Sequence, residues 1–194
     1  MNVSSKIALA LAAGLSLRAA SIKPFTQHTL KVCVTSSREP WILAQAESQA
    51  GQMFAAIGIH VDWFHDSRHC KTPADDFLPV QLSIDAPEER FPGALAYSHL
   101  HGRPQIEIFY DRVRASVDPH RVPELLAHVL AHEITHTLED LNRHSDAGLM
   151  KAHWSQEDLE EMAFKPLPFA PEDVEMIQRA LAYPTLAPRA FLGQ

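Results

Sequence analysis

The stretch from residue 118 to residue 141 constrains the fold more than any other. Asp118-Pro119 and Pro123 mark a helix start, where the N–H that proline lacks has no partner to lose. Leu125, Leu126, Val129, Ile134, Leu138 and Leu141 then recur at helical spacing, which predicts a helix with a broad apolar stripe facing a core. In the middle of this apolar helix stand His132, Glu133 and His136. A polar group turned into a domain is costly unless it has a partner or a purpose such as a metal. The chain must therefore supply a surface that buries this helix and a reason to keep three polar side chains within it.

The surface comes from the residues ahead of it. Residues 30–35 (Leu-Lys-Val-Cys-Val-Thr) alternate apolar and polar with β-branched side chains and predict a strand. Residues 39–57 place Ile42, Ala46, Met53, Phe54 and Ile57 on a helical period, with Gly58 as the residue that ends the helix. Short strands are expected at 60–64, 78–84, 94–99 and 105–110. After the long helix, Ser155 and Asp158 form an N-cap pair, and Pro171 with Glu172 and Asp173 opens a last helix to about residue 183. The tail after Pro184 is expected to be irregular. There is no internal repeat and no low-complexity linker. The order predicts one α/β domain.

Composition narrows the partners. With 194 residues and 46% hydrophobic content, the chain suits one globular domain rather than a fibrous or disordered one. A formal net charge of −7 argues against nucleic acid and anionic membrane as main partners. At the N-terminus, Lys6 precedes an apolar and small-residue run over 7–17, followed by Ala19, Ala20 and Ser21. Such a run is too short to span a bilayer, so residues 1–20 read as a signal peptide and 21–194 as the exported domain, secreted or periplasmic, with no stable membrane anchor. Export would permit a Cys33–Cys70 disulfide; two buried thiols are the alternative.

The sequence His132-Glu133-Ile134-Thr135-His136 carries the chemistry. Positions i and i+4 share a helix face, so both imidazoles can reach one metal ion, and imidazole donors suit Zn2+. Glu133 adjoins the first ligand and can act as general base toward an attacking water. A catalytic zinc needs a third protein ligand and one open position. Candidates downstream are His144, the aspartates Asp140 and Asp146, and the glutamates Glu157, Glu160 and Glu161 on the next helix.

The run from His132 through His144 to Gly148-Leu149-Met150 resembles the metzincin clan of zinc metallopeptidases. That clan has HExxHxxGxxH, or Asp last, and then a turn bearing a methionine beneath the metal. This chain departs from it: Glu139 occupies the glycine position, Asn142 occupies the third-ligand position, and His144 follows two residues later. The resemblance implies His144 as third ligand across a longer link, and Met150 as the methionine of the turn. Asn142 is a candidate left-handed helix cap in place of the glycine. The resemblance also implies a twisted, mostly parallel sheet of about five strands, with a backing helix, an active-site helix and C-terminal helices. Residues 94–99, from Ala94 at one end to His99 at the other, then fall where the clan has the edge strand that docks an extended peptide.

The remaining histidines carry less. His128 is expected as a half-exposed helix residue, Trp154 as core packing, and His153 as a candidate hydrogen-bond donor to a transition-state oxyanion, ahead of Tyr97, His99 and His101. His60, His65, His69 and Cys70 fit no compact ligand spacing. The expected protein is a monomeric zinc metalloprotease acting on a peptide or protein. The alternatives are a zinc hydrolase of a non-protein or cell-wall peptide substrate, and a secreted zinc-binding module without catalysis.

Overall fold

The computed structural model describes residues 28–35, 39–65, 70, 77–84, 89, 91–100 and 103–182. The N-terminal apolar run, His69, His101 and the tail after Pro184 lie outside these residues. Five strands form one sheet: β1 (His28–Thr35), β2 (Ile59–Phe64), β3 (Leu78–Ser83), β4 (Ala96–His99) and β5 (Gln105–Phe109), in the order β2-β1-β3-β5-β4. β1 runs parallel to β2 and β3, and β3 parallel to β5; only β4 is antiparallel, pairing Ala96 with Ile108 and Ser98 with Ile106. β4 is thus an edge strand, shorter than the sequence reading by Ala94 and Leu95. The described residues contain no helix long and apolar enough to cross a membrane.

Helix α1 (Pro40–Ala55) makes the crossover from β1 to β2 and packs along the long helix and against β2. Pro40 opens it after Glu39, whose left-handed backbone (φ 45°) is held by a hydrogen bond from the Tyr110 hydroxyl to its carboxylate. The helix ends two residues before the sequence reading, and Gly58 (φ 81°) supplies the turn into β2 rather than the cap itself. A helix that the sequence analysis missed, α2 (Tyr110–Ser116), follows β5 directly. The long helix, α3 (Val122–Glu139), is entered through a 3-10 turn at Pro119–Arg121. α4 (Gln156–Met162) begins with the expected capping box of Ser155 and Asp158, and α5 is Pro171–Ala182.

Side-chain alternation along β1 puts Leu30, Val32 and Val34 on one face and Cys33 on the other. Cys33 is joined to Cys70 in a disulfide, with Cα atoms 5.5 Å apart. α3 is buried along almost its whole length, Glu124 alone being partly exposed. Leu141, expected on its apolar stripe, is instead 44% exposed, because the helix stops at Glu139 and Leu141 lies beyond the turn.

One buried carboxylate stands apart from the long helix. Glu47 of α1 faces His65 at 3.2 Å through one oxygen, and its other oxygen has no hydrogen-bond partner. Burial pushes its pKa up from 4.5 to about 7. In that window the unfolded chain releases a proton that the folded chain keeps, so stability declines as pH rises from about 4.5 to about 7 and then levels off. Glu47→Gln should flatten this profile and exceed the parent at pH 8 by on the order of 1–3 kcal/mol. Urea unfolding of both proteins at pH 5 and pH 8 measures the difference; equal slopes would show that Glu47 is not the group responsible.

Candidate metal centre

α3 places His132 and His136 one turn apart with Glu133 beside them, and all three are buried. Each imidazole is oriented through its Nδ1, which donates to a backbone carbonyl: His132 to Leu149 at 3.0 Å and His136 to Leu141 at 3.0 Å. These partners put the ring proton on Nδ1 and leave the lone pair on Nε2. The two Nε2 atoms face each other 3.0 Å apart. Two lone pairs at that separation repel unless a cation lies between them. A tetrahedral zinc with Zn–N bonds of about 2.0–2.1 Å holds its nitrogens about 3.3 Å apart, so the pair suits such an ion.

The chain reverses after α3 to bring in a third ring. Asp140, not Asn142, takes the left-handed position (φ 51°, ψ 36°), and its N–H donates to the His136 carbonyl. Residues 141–145 then run without helix or strand to His144. One nitrogen from each of His132, His136 and His144 lies within 4.8 Å of the others, and this is the group able to hold a metal among the described residues. Asp140, Asp146, Glu157, Glu160 and Glu161 are not in it. Beyond His144, the Ser145 N–H donates to the Met150 carbonyl at 2.8 Å, closing a tight loop in which Gly148 has φ 74°. Met150 is fully buried, and the Leu149 N–H donates to Pro168 at 2.9 Å.

Burial disfavours charge on every imidazole here. The pKa of His132 falls from 6.5 to about 4 and that of His136 to about 3; His144 is lowered by partial burial, then by His153 and Arg143. A neutral imidazole is the ligand form. Glu133 is pushed the other way, from 4.5 to about 7, by burial, with a hydrogen bond from Ser98 opposing. The Ser98 hydroxyl reaches Glu133 Oε2 at 2.6 Å from the edge strand β4.

These groups share one cleft of about 560 Å³. Pro92, Gly93 and β4 form one wall, α3 forms the floor, and His144 with residues 151–154 forms the opposite rim. His153 is exposed on that rim, and Trp154, half-buried, packs on the core while its indole N–H donates to the Leu149 carbonyl at 3.3 Å. His128 is fully buried rather than half-exposed: its Nδ1 donates to the Glu124 carbonyl at 2.7 Å, and its Nε2 accepts the Leu167 N–H at 3.0 Å. Both nitrogens are therefore used in structure. Ser98 was not picked out by the sequence reading, although alternation along the expected strand 94–99 places it opposite Tyr97 and His99.

The fold has a counterpart of known structure. Archaemetzincin from Methanopyrus kandleri is 20% identical and aligns over 82% of this chain and 98% of its own, with a TM-score of 0.51. The fold is metzincin-like. No protein-family model matches the chain, and no curated protein does.

Two outcomes follow. His132→Ala, His136→Ala and His144→Ala should each reduce zinc content well below that of the parent, measured by atomic absorption after dialysis, whereas Glu157→Gln, Glu160→Gln and Glu161→Gln should not. Full zinc retention by His144→Ala would remove it from the site. Gly148→Ala would put a Cβ 2.3 Å from the Pro168 carbonyl oxygen at a positive φ. Its melting temperature should drop by several degrees, corresponding to a cost of about 1–2 kcal/mol or more.

Proposed function

We propose that the protein is an exported, zinc-dependent metallopeptidase in which His132, His136 and His144 hold the metal and Glu133 is the general base. The observation that carries this reading is the convergence of two neutral Nε2 lone pairs and a third imidazole on one point, in a cleft that also contains a buried carboxylate. A structural zinc site uses all four positions and has no use for such a carboxylate.

Bound there, zinc supplies Lewis acidity toward a carbonyl oxygen and a water. The protein's own groups do the rest. The outer edge of β4 offers backbone N–H and C=O groups to an extended peptide, which would lie along the cleft wall. Glu133 accepts a proton from the attacking water as its oxygen adds to the scissile carbonyl carbon. It returns that proton to the amine nitrogen as the C–N bond breaks. The Ser98 hydrogen bond holds Oε2 of Glu133 in one orientation while this happens. Export is supported by the apolar run after Lys6 and by the Cys33–Cys70 disulfide, a bond that persists in oxidising compartments.

Glu133→Gln tests the chemistry apart from the metal. It keeps the side chain's size and its contact with Ser98 but cannot take a proton. Zinc content should match the parent, while hydrolysis of a peptide library falls by about 10²–10⁴-fold. Parent-like hydrolysis by the variant would remove Glu133 as the base. A zinc-loaded parent that cleaves neither peptides nor cell-wall fragments would favour the binding module.

A further inference from the structure

His132 and His136 are placed by a buried helix, whereas His144 is exposed and sits in a segment with no helix or strand of its own. Something else must fix it. The side chains on either side of His144 supply the answer, because both end on one buried carboxylate. Arg143 Nη2 donates to Asp173 Oδ1 at 2.6 Å, and the Ser145 hydroxyl donates to the same oxygen at 2.5 Å. Arg143 Nη1 also donates to Ser145 Oγ at 3.1 Å. Asp173 is fully buried near the start of α5, where its second oxygen accepts the Ala170 N–H at 3.0 Å.

Arg143 also reaches back to the helix that bears the other two imidazoles. Its Nη2 and Nε each lie 3.3 Å from a carboxylate oxygen of Glu139, the last residue of α3. The Nε–H is not aligned for a hydrogen bond, so this arm is an ion pair. The Glu139 and Asp173 side chains have no solvent exposure, and that of Arg143 has 27%. One guanidinium thus ties the end of α3 to the start of α5, with His144 as the next residue along the chain. A planar guanidinium can engage both carboxylates at fixed angles; an ammonium is a point charge and cannot.

We propose that Arg143 is the positioning residue for His144, clamping it between Glu139 and Asp173 so that the third imidazole is already in place when metal arrives. The proposal rests on the reading of the three histidines as a metal site. A loop ligand held in advance gives up little conformational freedom on binding, so the clamp raises metal affinity without touching the metal.

The test compares the parent with Arg143→Gln, Arg143→Lys and His144→Ala. Zinc affinity is measured by competition with a chromophoric chelator, the visible absorption of each Co2+-loaded protein reports its coordination, and circular dichroism with apo-protein melting reports folding. Arg143→Gln should bind zinc about 10–100-fold more weakly and show a cobalt spectrum shifted toward that of His144→Ala. Arg143→Lys should fall between Arg143→Gln and the parent. An Arg143→Gln protein that melts lower but keeps the parent's zinc affinity and cobalt spectrum would overturn the proposal, since the clamp would then be structural only. If Arg143→Gln does not fold, Asp173→Asn carries the same test: weaker zinc binding supports the clamp, and parent-like binding overturns it. A parent that binds no zinc, or a His144→Ala that binds as the parent does, would overturn the metal-site reading and the clamp with it. Parent-like binding by Arg143→Gln beside a defective His144→Ala would overturn the clamp alone.

Discussion

Two hydrogen bonds organise the chain around the site: His132 to the Leu149 carbonyl and His136 to the Leu141 carbonyl. They are needed because α3 is buried on nearly every side, so its polar groups cannot turn to water. An unpaired buried donor costs about 1–3 kcal/mol. Other polar groups of the helix are met in the same way: the Thr135 and Thr137 hydroxyls donate back to the carbonyls of Ala131 and Glu133, and His128 uses both of its ring nitrogens. For the two central imidazoles the acceptors come from outside the helix, from either end of the segment that carries His144. The polar demands of the helix therefore set the path of the loop.

Glu139 and Asp140 occupy the place where a glycine would turn the chain at no steric cost. Asp140 takes the left-handed conformation instead, which a short polar side chain tolerates better than most. The turn is stabilised on both sides. Asp140 and Leu141 N–H groups converge on the His136 carbonyl, and Leu141 returns its own carbonyl to the His136 ring. Glu139, buried and pushed up from 4.5 to about 7 by desolvation, is opposed in that shift chiefly by the charge of Arg143. The residues that make the turn without glycine are thus tied to His136, through its carbonyl and its ring.

Much of this was legible in the sequence, and the reasons are local. β1, β2, β3 and β5 each carry a two-residue alternation, α1 and α3 a helical one, and Ser155 with Asp158 marks a helix start within four residues. The pair His132 and His136 needs only the helix period. What escaped was set by pairings across long stretches of chain. Ser98 meets Glu133 across 35 residues, Arg143 meets Asp173 across 30, and His128 meets Leu167 across 39. α2 escaped for another reason: it starts at the residue after β5, with no turn residue between them, so the strand pattern runs straight into it. Asn142 failed as the helix cap because Asp140, two residues earlier, also suits a left-handed backbone and is the residue whose N–H meets the His136 carbonyl.

The link from His136 to His144 is longer than in the pattern it resembles, yet the third imidazole still arrives. Its ends explain why. Leu141 is held at one ring and Leu149 at the other, so the positions where the segment leaves and rejoins the helix are fixed by the imidazoles themselves. Between those points the chain can take up extra residues if it folds back on itself. After His144 the chain folds back through the bond from the Ser145 N–H to the Met150 carbonyl, with the left-handed Gly148 inside that loop and the Pro168 carbonyl outside it. Two residues added to a segment with both ends tied change the shape of the loop more than the position of its anchors. The reach of His144 is therefore governed by which side chains hold the middle of the segment, not by the count of residues from the helix.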